Sequence, residues 1–123
     1  MALALELVRG GFSANQARSV GGQVQAAVSG AGTTISDATA LTAGVNIVTT
    51  CASGAGVKLM DMQIGDSQEI LNLVSANACT VYPPTSSDQI NQLSAGSGFL
   101  LGPNTSCVVK RFTTTRFMAY LSA

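Results

Sequence analysis

Three groupings in this sequence have the residue types for chemistry: three cysteines, a short run of carboxylates and one Asn-Thr-Ser triplet. Cys51, Cys79 and Cys107 are far apart, no CxxC occurs and the chain contains no His, so zinc has no plausible ligand set. Each cysteine sits beside strand-forming residues (TTCAS, NACTVY, SCVVKR), which reads as three small buried hydrophobes kept reduced. The alternative, a single disulfide, leaves one thiol over. Asp61, Asp66 and Glu69 could attract a hard cation such as calcium, but their spacing does not match an EF-hand loop, and solvated turn charges are the competing reading. Asn104-Thr105-Ser106 matches a glycosylation acceptor, yet it follows Gly102-Pro103, where an ordinary turn is expected.

Without His the commonest general base is missing, and neither GxSxG nor SxxK is present. The expectation is therefore no enzyme, no catalytic residue, no metal and no cofactor or small-molecule substrate. Ser29-Gly-Ala-Gly32, Ser53-Gly-Ala-Gly56 and Ala95-Gly-Ser-Gly98 contain Gly-x-Gly. The later two lead into strand-like VKLM and FLL, so they read as hairpin turns rather than phosphate cradles.

Composition narrows the partners. The chain has 123 residues, enough for one domain with a real core. Charged residues make up 10 %, against about 25 % in typical proteins. Six basic and six acidic residues cancel, leaving weak electrostatic protection against association. Only Lys110 and Arg111 are adjacent cations, which is too little clustering for a phosphate-binding face, so no nucleic acid is expected. No apolar run approaches the ~20 residues of a membrane span. The start, MALALELVRGG, lacks a basic leader and carries Glu6, so no secretory signal is expected.

The elements that would position these residues fall into two parts. Ser13 is a candidate N-cap for SANQARSV, and Ala17, Val20, Val24 and Val28 stand at helical spacing with Gly21-Gly22 in their midst. A short helix near 13–20 and a flexible or extended segment over 22–32 are expected, so residues 1–32 read as an N-terminal arm. Residues 33–123 show short β segments separated by turn residues. In VNIVTTC, Val45, Ile47, Thr49 and Cys51 share one face; SQEILNLVS sets Ile70, Asn72 and Val74 against Leu71 and Leu73. CTVY, INQL, FLL, CVVKRFTTT and RFMAYLS follow. Eight or nine strands spaced about 8–12 residues apart predict a mainly β fold, an antiparallel β-sandwich or jelly-roll-like barrel. Pro83-Pro84 in VYPPTSSDQINQL must end a strand or follow an edge, since proline lacks the ladder donor. A cis Tyr82-Pro83 bond is an option there.

The order VYPP, a polar gap, IN-Q-L, the turn SAGSG and FLLGPNTSCVVKRF resembles a group of small tailed-bacteriophage virion proteins. LTAGVNIVTTCASGAGVKL and GFSANQARSVGG look similar too, so the resemblance spans about 33–121 and 11–22. It implies a β-fold structural component of the virion, made in the host cytoplasm. The implied role is capsid decoration, or cement, on the outer surface of the head, bridging neighbouring copies of the major capsid protein. A homotrimer is the expected assembly, since such proteins sit at three-fold positions. The arm would dock through Leu5, Leu7, Phe12 and Val20, and Pro83 and Pro84 complete the candidate interaction residues. The alternative is a tail-fibre or tail-tip module that recognises a host surface.

Overall fold

The computed structural model describes residues 24–122. The expected helix over 13–20 and the candidate residues Leu5, Leu7, Phe12 and Val20 lie outside them. Ten strands run in chain order: β1 (Val24–Gly30), β2 (Thr39–Ala40), β3 (Val45–Cys51), β4 (Gly56–Lys58), β5 (Ser67–Asn72), β6 (Cys79–Tyr82), β7 (Gln89–Ile90), β8 (Phe99–Leu101), β9 (Thr105–Arg111) and β10 (Arg116–Leu121). No helix occurs among the described residues.

The chain alternates between two sheets. A six-stranded sheet has the order β1-β3-β5-β9-β10-β7, and a four-stranded sheet the order β2-β4-β6-β8. The pairs β1–β3, β3–β5, β10–β7, β2–β4 and β4–β6 are parallel. Among the described strands, β5–β9, β9–β10 and β6–β8 are antiparallel. Successive coils each add one strand to either sheet, which is a β-solenoid, closed at its far end by antiparallel strands.

The antiparallel sandwich or jelly-roll expected from the strand spacing is thus overturned. Turn residues recur at similar intervals in both architectures, and strand periodicity does not report pairing direction. What differs is where the turn sends the chain. Ser29–Gly32 and Ser53–Gly56 are corners between the sheets rather than hairpin turns. Gly32 and Gly54 have φ of 73° and 84°, a left-handed backbone that glycine adopts without Cβ strain. The first corner is tied to the second by Ala31 N–H donating to the Gly56 carbonyl at 3.0 Å. A Cβ at Gly56 would stand 2.6 Å from the Thr80 carbonyl oxygen, so β4 packs this closely against β6 because the position carries no side chain.

The core fills the space between the sheets. Val28, Val48, Ile70, Val109 and Phe117 come from the large sheet, and Val57, Val81 and Leu101 from the small one. Leu41, Leu59 and Ile90 add to it, as do Ala55, Met62 and the three cysteines. The prolines are explained by this stacking. Leu41 N–H donates to the Lys58 carbonyl and Leu59 N–H to the Tyr82 carbonyl. Pro83 follows β6 directly and is buried, with no N–H to continue the ladder. The Tyr82–Pro83 bond is trans. Asp88 then closes the loop, its carboxylate accepting from the Thr85 N–H and hydroxyl at 3.2 and 3.0 Å.

Corners bring backbone carbonyls inside, where an unpaired one costs about 1–3 kcal/mol. Three buried amide side chains satisfy them. Asn46 Nδ2 donates to the Ala43 carbonyl at 2.8 Å, and Gln68 Nε2 to the same oxygen at 2.9 Å. Asn72 Nδ2 reaches the carbonyls of Leu101, Asn77 and Gly102 at 3.0, 3.1 and 3.2 Å, while its Oδ1 accepts from Val74 N–H. These contacts set the phase of β3 and β5. Asn46, Val48, Gln68, Ile70 and Asn72 face inward, and Val45, Ile47 and Leu71 face out. Val45 and Ile47 share one face, as expected, and it is the outer one; Cys51, expected beside them, is buried.

A paired substitution checks that phase. Asn72→Leu, apolar and of similar size, should lower unfolding free energy by about 2–4 kcal/mol because it orphans buried carbonyls. Leu71→Asn, one residue away on the outer face, should change it by less than about 0.5 kcal/mol. Urea unfolding of the two variants gives both values.

Candidate interaction surface

The groups that could do chemistry are placed for structure. All three cysteines are buried and free. Cys51 and Cys79 converge beneath Gly30, where an added Cβ would lie 2.7 Å from Cys51 Sγ and 3.6 Å from Cys79 Sγ. Burial pushes the Cys79 thiol far above its ordinary range, with further increments from neighbouring Cys51 and then Cys107. Cys107 is pushed up to about 12, again chiefly by burial. A buried, protonated thiol is neither a nucleophile nor a metal ligand. No cluster of His, Cys, Asp or Glu among the described residues could hold a metal ion.

The three carboxylates separate. Asp61 meets Arg111, with Nη1 to Oδ1 at 2.8 Å, and is largely exposed. Asp66 accepts the Gln63 N–H at 3.2 Å within its turn. Glu69 lies on the outer face of β5, paired with Val45 on one side and Val108 on the other. Asn104 forms the β8–β9 turn with φ of 54°, and the Thr105 hydroxyl donates to the Gly102 carbonyl at 2.6 Å.

Arg111 has a larger structural role than its ion pair indicates. Its guanidinium also donates to the carbonyls of Met62, Thr113 and Thr114, and it lies 5.4 Å from the centre of the Phe117 ring. It thereby joins the β4–β5 connection to the β9–β10 hairpin. A solvated pair with Asp61 contributes little by itself, whereas carbonyls bonded to a charged donor are costly to abandon.

The outer face of the large sheet is the feature that stands apart. Register places Val24, Val45, Glu69, Val108 and Tyr120 in one row across five strands. Ile47, Leu71 and Ser106 form the next row, and Ser67, Lys110 and Met118 flank the first on its other side. Val24 is 52 % exposed, Leu73 54 %, Tyr120 59 % and Met118 39 %. Val45, Ile47, Leu71 and Val108 are half-buried among them. This band is mostly apolar, interrupted by Glu69, Lys110, Ser67 and Ser106, where a solvated sheet face would normally be polar throughout.

Of the predicted interaction residues, Pro83 is buried and Pro84 half-buried, so neither is a projecting anchor. Sequence reasoning missed the outer band because apolar residues in β3 suggest the inside. The available signal was the alternating amide: Asn46, Gln68 and Asn72 occupy the same phase as Val48 and Ile70. The chain matches no protein-family model, no curated protein and no solved structure.

Three outcomes follow for these groups. Arg111→Ala should destabilise the fold by about 2–3 kcal/mol and Asp61→Ala by under about 1 kcal/mol, read as urea midpoints. The thiols should be unreactive toward a disulfide reagent at pH 8 and all react in denaturant. Because the folded Cys107 pKa of about 12 lies above an ordinary 9.0, stability is full below pH 9 and falls as pH rises toward 12. Thermal melts across that window check the sign.

Proposed function

We propose that this chain is a non-enzymatic structural protein of a tailed-phage virion, a decoration or cement protein on the outer surface of the capsid. The apolar outer face of the six-stranded sheet carries this reading. Such a face gains free energy when covered, and a protein that bridges neighbouring major capsid subunits works by burying surface at their boundary. Low total charge and zero net charge remove the long-range repulsion that would oppose dense packing on a particle. Buried, protonated thiols and separated carboxylates fit a protein that binds rather than transforms.

The β-rich sequence order from VYPP to CVVKRF supports the virion assignment through its resemblance to that group. A homotrimer at three-fold positions is the assembly proposed, with the outer faces turned toward the capsid. The competing tail-fibre or tail-tip role predicts a different location and copy number.

Imaging of purified particles distinguishes them: an icosahedral array on the head supports decoration, and a few copies confined to the tail reject it. Ile47→Asp and Leu71→Asp carry the surface test. Both should keep the melting temperature of the parent within a few degrees. Each should lower head occupancy on the order of tenfold, because a carboxylate would be buried in the contact without a partner. Full occupancy with both substitutions would rule out the outer face as the docking surface.

A further inference from the structure

Glu69 and Lys110 are the opposite charges that interrupt the apolar band of the large sheet. They stand on β5 and β9, neighbours at the middle of the strand order β1-β3-β5-β9-β10-β7. Register pairs Glu69 with Val108 and Ser67 with Lys110, so the two charges are diagonal neighbours on the outer face. Diagonal neighbours of an antiparallel pair are within reach of long side chains. Among the described residues, however, the ion pair formed is Arg111–Asp61, and Glu69 and Lys110 stay apart. Glu69 is half-buried between Val45 and Val108, whereas Lys110 is exposed.

Covering this band takes Glu69 out of water, and a buried carboxylate without a partner is costly. Whatever covers the face must therefore place a cation opposite Glu69 and an anion opposite Lys110. The face itself holds that pair in the arrangement needed. A two-fold axis lying in the contact and passing midway between Glu69 and Lys110 exchanges their positions. Glu69 of each copy then meets Lys110 of the other, and the contact occurs twice, as in any isologous interface. Because the axis crosses the sheet between its third and fourth strands, it lays Val45, Ile47, Leu71, Val108 and Met118 on the band of the second copy. The strands from β1 to β10 span about 24 Å by about 21 Å, or ~1,000 Å² for two copies before side-chain relief, which reaches the size of a specific interface. Zero net charge adds no long-range repulsion between copies.

We propose that the free chain forms a two-fold dimer through the outer face of its large sheet, held in register by reciprocal Glu69–Lys110 ion pairs. The occupant of the band before attachment is thus a second copy of this chain. The dimer and a particle contact use the same face and exclude each other, so attachment requires the dimer to separate. An interface of this modest size suits such an exchange. The dimer belongs to the free chain and the trimer to the particle, and the inference does not rest on the virion reading.

Sedimentation equilibrium of the full chain and of charge-reversed variants tests it. The parent should be a dimer that dissociates on dilution. Glu69→Lys and Lys110→Glu should each raise the dimer Kd at least about tenfold, because like charges then face each other across the axis. Thermal melts of both variants should stay within a few degrees of the parent. An equimolar mixture of the two variants should form a heterodimer within about threefold of the parent Kd, since both contacts again join opposite charges. A parent chain that sediments as a monomer or a trimer overturns the proposal and leaves head decoration standing. Unchanged dimers in the single variants, or a mixture that associates no more tightly than either variant alone, overturn it as well.

Discussion

The stacking of β1, β3 and β5 in parallel is the constraint on which the rest depends. Parallel neighbours cannot be joined by a tight hairpin, so the chain must leave the large sheet after each strand, cross the small sheet and return. Every crossing carries backbone into the interior, where its carbonyls lose water. Asn46, Gln68 and Asn72 answer that need by placing amide donors among Val28, Val48 and Ile70. With those amides pointing inward, the β-branched and aliphatic residues between them must point outward. One requirement therefore shapes both the interior and the exterior of the same sheet.

That coupling links the fold to the proposed role. An outer face bearing Val45, Ile47, Leu71 and Val108 is a by-product of the register only if nothing covers it; as a docking surface it turns the same residues into binding energy. The interior, meanwhile, carries the thiols where they are inert. The antiparallel strands β8, β9 and β10 end the solenoid at one side, and Arg111 locks that end by bonding carbonyls from two connections.

Much of the local structure was legible. β5, β6, β8, β9 and β10 lie where alternation and turn residues indicated, with Leu71 opposite Ile70 and Asn72. Pro83 ended its strand as an imino acid must. The architecture was not legible, because a glycine corner between sheets and a hairpin turn use the same residues. Which face of β3 looks inward was not legible for a related reason: Asn46 counts as a buried donor only once the corner carbonyl of Ala43 is in place. The candidate surface was hidden for the same reason.

By itself, then, the sequence determined that the chain is built of short strands, that its glycines mark changes of direction, and that it lacks the histidine and motif context of common catalytic sites. These follow from steric limits and side-chain chemistry, which act over a few residues. Only the tertiary structure decided that the strands run mostly parallel, that asparagine and glutamine belong inside, and that valine, isoleucine and leucine form the outer face of the large sheet. Those outcomes depend on which distant carbonyls need a donor, a condition set by contacts such as Asn72 with Leu101 rather than by any stretch of sequence alone.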